Sequence, residues 1–207
     1  MKLWSVDIPR GFALELAVYI CTVVARMEII MTIKERDAVK QLMTQALFFQ
    51  DAAKVSQIKK DFIRDFPVDV RKKPQYIIQL LEIAYCEKNA DDVEYALIIA
   101  GSFDLITTEY QYILLKLLEA DWHFKHENIA EIFQKLKIPD TVEYLYKTAL
   151  TQFEYLEFDE FFALAVKCIW ALGDIRTDEA IKKLKLLAQS DNEIIKENAL
   201  NQLQRIQ

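Results

Sequence analysis

The chain has two histidines, His123 and His126, close together in DWHFKHEN. At a spacing of three they share one face of a helix, where Asp121 and Glu127 would add oxygen ligands to a metal. No cysteine or third histidine stands nearby, so a ligand set built here is short of soft donors. The segment also falls at an expected helix–helix turn, where polar side chains collect, and a structural role is the plainer expectation. The rest of the chain offers no glycine-rich phosphate loop, no GxSxG elbow and no HExxH pair. No catalytic residue, metal or cofactor is expected.

Charge is more informative. Lys+Arg 26 against Asp+Glu 32 gives a net charge of −6. An acidic chain repels phosphate backbones and attracts basic proteins, so a basic protein partner is expected and nucleic acid is not. The most basic stretch is 54–73, where Lys54, Lys59, Lys60, Arg64, Arg71, Lys72 and Lys73 face Asp61, Asp65 and Asp69. A solvated helix face accounts for it, with a nucleic-acid surface as the rival reading. The opposite bias runs from Glu119 to Glu160. Ten carboxylates (Glu119, Asp121, Glu127, Glu131, Asp140, Glu143, Glu154, Glu157, Asp159, Glu160) meet four lysines (Lys125, Lys135, Lys137, Lys147). Within it, Phe153–Glu160 reads FEYLEFDE, interleaving aromatic and acidic residues. Acids supply steering and partner choice, and aromatics supply anchor area once water is expelled. The partner-binding set expected from this region is Glu119, Asp121, Glu154, Tyr155, Glu157, Phe158, Asp159 and Glu160. The bland alternative is an inter-helix link whose aromatics turn inward and whose acids are merely solvated.

These residues need elements to position them, and composition says which. Only 3 glycines and 4 prolines occur in 207 residues, about 3% against a usual share of about 12%. So few reversals cannot serve a sandwich, a barrel or glycine-rich βα loops, which leaves an all-α fold. Three widely separated cysteines (Cys21, Cys86, Cys168) form no disulfide framework and read as small buried hydrophobes of a reducing, cytoplasmic protein. Residues 11–31 are the most apolar stretch. Glu15, Arg26 and Glu28 interrupt them as a membrane span, and Asp7 and Glu15 argue against a secretory signal. Residues 1–31 are therefore expected to be an extra packing helix or an upstream extension, with no membrane role.

Punctuation places ten helices at about 33–50, 52–65, 74–87, 91–101, 108–121, 126–137, 140–153, 159–173, 178–189 and 191–206. Thr32–Glu35 and Ser190–Glu193 read as capping boxes, Pro74 as a first-turn proline, and Gly173 as a helix C-terminal cap. An internal repeat overlies this pattern. A shift of 31 lays Cys168, Leu172 and Ile175 on Ala199, Leu203 and Ile206. A shift of 39 lays Ile129, Phe133 and Leu136 on Cys168, Leu172 and Ile175, and Val142, Leu145 and Ala149 on Ile181, Leu184 and Ala188. The difference between the offsets lies in the QFEYLEFDE link.

Residues 164–206 resemble HEAT-like repeats. Ala171-Leu172-Gly173-Asp174-Ile175 matches the close of the family's first helix. Glu179-Ala180-Ile181 with Leu184 and Leu187 matches its second helix, while Ile195-Lys196 and Val166-Lys167 stand where Val-Arg is usual. The resemblance implies a right-handed α-solenoid of antiparallel helix pairs. It would fill 32–207 as one domain, irregular over 32–104 and HEAT-like over 105–207. HEAT-like deoxyhypusine hydroxylases use several His-Glu pairs, and this chain has one, His126-Glu127. HEAT-like DNA glycosylases suggest the rival function, an enzyme or nucleic-acid-binding accessory using 54–73. The small, acidic, helical character is also similar to immunity proteins of bacterial toxin–immunity systems. That likeness implies a monomer blocking a basic toxin domain, such as a nuclease, with Glu154, Glu157, Asp159 and Glu160 steering and Tyr155 and Phe158 anchoring.

Overall fold

The computed structural model describes residues 30–48 and 51–206. Among them are ten α-helices, three single-turn 3-10 segments and no strand. The helices are α1 (Ile33–Phe48), α2 (Ala52–Asp65), α3 (Gln75–Glu87), α4 (Ala90–Ser102), α5 (Gln111–Leu118), α6 (His126–Leu136), α7 (Val142–Leu150), α8 (Ala163–Ile175), α9 (Asp178–Leu187) and α10 (Glu193–Ile206). The fold is all-α. The expectations for residues 1–29, Cys21 included, lie outside the described residues. No described helix is long and apolar enough to cross a membrane.

Side-chain caps explain half of the helix starts. Thr32 and Glu35 form the expected reciprocal box at α1. Asp51, Asn89 and Thr177 each accept an amide of the first turn of α2, α4 and α9. Three expectations are corrected. At α10 the cap is Asn192, whose Oδ1 accepts the amides of Ile194 and Ile195 at 3.0 and 3.2 Å, while Glu193 pairs instead with Lys196. The helix expected from residue 159 begins at Ala163, because the Asp159 carboxylate takes the amides of Phe161 and Ala163 at 3.0 and 2.7 Å and holds the preceding turn open. Gly173 does not end α8. The helix continues to Ile175, and the left-handed residue is Arg176 at φ 59°. Gly173 answers a different need: a Cβ there would lie 2.2 Å from the Gln202 side chain of α10.

Helix contacts run mainly between near neighbours. α3 packs on α4 and α5, α5 on α6 and α7, α6 on α8, α7 on α8 and α9, and α10 on α8 and α9. The helices matched by the internal offsets are thus spatial neighbours, α6 beside α8 beside α10, and α7 beside α9. At the other end α1 reaches across to α4 as well as α2. There the Arg36 guanidinium donates to both oxygens of buried Asp92 at 2.7 and 2.8 Å. α8 is the pivot of the second half. Leu164, Ala165, Cys168, Ile169, Ala171, Leu172 and Ile175 are all buried, so its apolar surface spreads beyond a single stripe. Cys168 is a buried hydrophobe as expected, and burial pushes its thiol pKa well up. Cys86 is exposed, against expectation, because α3 carries it on the face away from Ile77, Leu80, Leu81 and Ala84.

Candidate functional site

The link between α7 and α8, residues 151–162, is where the interleaved aromatics and acids fall. Thr151 closes α7 with its hydroxyl on the Lys147 carbonyl at 2.9 Å. The chain then runs extended through Phe153, makes one 3-10 turn over Glu154–Leu156, and enters α8 through Phe162 at φ 51°. Phe153 is buried and Tyr155 half-buried, whereas Phe158 and Phe161 are 90% and 77% exposed. The aromatics therefore divide into an inner pair that fixes the link and an outer pair that faces water.

The inner pair rests on the two histidines, both fully buried and stacked with ring centroids 4.3 Å apart. The amide of Lys125 donates to His123 Nδ1 at 3.1 Å, so the proton sits on Nε2, which donates to the Leu117 carbonyl at 2.7 Å. In the same way His126 Nε2 donates to the Ala120 carbonyl at 2.7 Å, and its Nδ1 accepts the Tyr155 hydroxyl at 2.9 Å. Leu117 stands in the last turn of α5, where its carbonyl also accepts the Ala120 amide at 3.0 Å, and Ala120 lies just beyond the helix. Two neutral imidazoles thus donate to those carbonyls and, through Tyr155 and Phe153, hold the link against α5 and α6. Burial lowers both imidazole pKa values, that of His126 to about 4. Burial also pushes the Tyr155 phenol up to about 12, which keeps it protonated as a donor. With all four ring nitrogens engaged, the pair has no lone pair free for a metal. Among the described residues, no group of three or more potential ligands is arranged to hold an ion.

The fold sorts the ten acids of the 119–160 stretch. Lys167 on α8 pairs with Glu127 and Glu131 at 3.1 and 2.7 Å, and Lys183 on α9 pairs with Glu143 at 2.6 Å. No described cation lies within 4 Å of Glu119, Asp121, Glu154, Glu157, Asp159 or Glu160. Among the described residues, the six acids expected at a docking surface are thus left without an ion pair. Asp159 differs from the others in that both its oxygens hold backbone amides. Glu119, Asp121 and Glu154 come together around a hollow of about 460 Å³, with Lys147 on its margin. Glu154, Glu157 and Asp159 border a second hollow of about 670 Å³, floored by Ala149, Leu156, Leu164 and Ile195. The two share the segment Thr151–Glu154 as a dividing ridge. Phe158 and Glu160 lie outside both, at the exposed tip of the link.

Sequence reasoning missed three exposed apolar groups near this ridge: Phe161, Leu150 at 51% exposure, and Phe124, whose ring meets Tyr155 edge-on at 5.3 Å. The spacing of HFKH does flag the neighbourhood of Phe124, but as a metal pattern. The basic stretch 54–73 is only partly offset by its own acids, since three carboxylates face seven cations and a net +4 remains. Arg64 pairs with Asp61 and Asp65, and Arg71 and Lys72 with Asp69. No protein-family model, curated protein or solved structure matches the chain.

Proposed function

We propose that this chain is a non-enzymatic binding protein that captures a basic protein partner on the acidic, aromatic-bearing surface around residues 151–162. The observation that carries the reading is the set of link acids without cations, beside exposed Phe158 and Phe161. Uncompensated carboxylates on a chain of net −6 steer a cationic surface inward. Exposed phenylalanines are what a partner then covers for its apolar gain. The second half is read as a HEAT-like α-solenoid. Support comes from the sequence offsets and from the packing of α6 on α8, α8 on α10 and α7 on α9. Within that frame the mechanism is steric and electrostatic occlusion without turnover, in the manner of an immunity protein covering the cleft of a basic toxin domain, such as a nuclease.

The test is capture of partners from the host by the immobilised chain at low salt and again at about 0.5 M salt. A basic protein retained at low salt and released at high salt is expected, because exposed charges are screened within a few ångströms there. A specific partner that is acidic, or one whose retention ignores salt, would refute the reading.

A further inference from the structure

We propose that the larger hollow receives an extended, arginine- or lysine-bearing segment of a protein partner, laid down as an added strand along Thr151–Glu154. This rests on the docking reading above and specifies how that surface is engaged. The ridge is extended over Thr151–Phe153, with Thr151 at φ −83°, ψ 132° and Phe153 at φ −94°, ψ 140°, before Glu154 opens the 3-10 turn. Among the described residues, the amides of Gln152, Phe153 and Glu154 find no acceptor, and the carbonyls of Thr151 and Gln152 find no donor. An extended segment with unpaired amides and carbonyls is a template for a further strand.

The surroundings fix the chemistry of that strand. Side chains of an added strand alternate, one set down and the next up. The hollow beside this ridge is lined both by apolar Leu156, Leu164 and Ile195 and by the carboxylates of Glu154 and Glu157, a partner for each set. The occupant is therefore a segment of alternating apolar and cationic residues. A second copy of this chain carries its basic stretch 54–73 in helix α2 and the turns after it, and so offers no extended cationic segment there.

The experiment uses the full chain and three labelled synthetic heptapeptides read by fluorescence anisotropy at low salt. One alternates arginine and leucine, one alternates glutamate and leucine, and one is the arginine–leucine peptide with alternate backbone amides methylated. Binding of the arginine–leucine peptide and not of the glutamate–leucine peptide is expected, weakened about tenfold or more by methylation. Gln152→Trp, which fills the exposed ridge position bordering both hollows, should weaken it similarly with the helical circular dichroism unchanged. The amide protons of Gln152 and Glu154, which share one edge of the extended segment, should become protected from exchange in the complex. Failure of the arginine–leucine peptide to bind overturns the proposal. So does equal binding of the methylated peptide, equal binding to the Trp variant, or unprotected ridge amides. The broader docking reading fails separately, when capture of the natural partner ignores salt. A partner that needs the link acids while the peptide result is negative would leave that reading standing and sink this one.

Discussion

His123 and His126 show how a pattern suggestive of metal chemistry is consumed by hydrogen bonding. Each imidazole is buried, donates from Nε2 to a carbonyl at the end of α5, and accepts at Nδ1 from a group that brings the link or the start of α6 into place. Neutral rings are required, and pH exposes that requirement. Unfolded histidines protonate near 6.5, whereas burial holds His126 down to about 4 and lowers His123 as well. At pH 7 both states are neutral and this stability is intact. As pH drops below 6.5 the unfolded chain takes up protons that the fold refuses, and stability falls until the folded His126 itself protonates near 4. The sign is therefore a loss on acidification, of about 3 kcal/mol from His126 alone. Urea unfolding at intervals from pH 7.5 to 4.5 checks it, and equal stability at pH 7 and 5 would contradict it. Tyr155→Phe removes the hydroxyl that closes the network. It leaves His126 Nδ1 buried without a donor and should cost about 1–2 kcal/mol by the same unfolding measurement.

At the scale of elements, glycine has two opposite roles. Gly173 lies inside α8 where α10 approaches closely, and buried Gln202, held by Arg205 at 2.9 Å, occupies the space a methyl would need. Gly101, in the last turns of α4, has open space where a methyl would stand, with nothing within 4 Å. Gly173→Ala should therefore destabilise by up to about 2 kcal/mol, since the Gln202 end must shift while the helix gains alanine's propensity. Gly101→Ala should be neutral or stabilising by up to about 1 kcal/mol. Thermal unfolding of the two variants checks the contrast, and a Gly173→Ala variant as favourable as Gly101→Ala would contradict it. The same residues show what is legible in the sequence. Pro74 and Thr32 announce helix starts because their effect is local. Gly173 reads as a cap because a close approach between helices 29 residues apart leaves the same letter. The start of α8 is hidden because Asp159 works through a turn with Phe162 in the left-handed region, a conformation that phenylalanine does not advertise.

For the molecule as a whole, the sorting of charge matters most. The acidic bias of 119–160 is visible as composition, and FEYLEFDE is visible as a link. Which acids stay free is not, because Lys167 and Lys183 reach Glu131 and Glu143 only once α8 packs on α6 and α9 on α7. Among the described residues, folding pairs Glu127, Glu131 and Glu143 with lysines and leaves Glu119, Asp121, Glu154 and Glu157 without an ion pair around a ridge tied down through Tyr155 and His126, with Glu160 at the tip of the link. On the proposed reading, a partner meets an organised surface and loses little freedom of the link on binding, which favours affinity.

Where the negative charge sits should therefore decide binding, rather than how much of it there is. The most direct measurement compares two triple variants of equal charge change for affinity to the captured partner. One is Glu154→Lys, Glu157→Lys, Glu160→Lys on the link. The other is Glu82→Lys, Glu87→Lys, Glu197→Lys at exposed helical positions of α3 and α10. The link variant should lose about a hundredfold or more in affinity with its unfolding temperature little changed, and the helical variant should lose less than about fivefold. Equal losses in the two, or a link variant that binds as well as the parent chain, would contradict it.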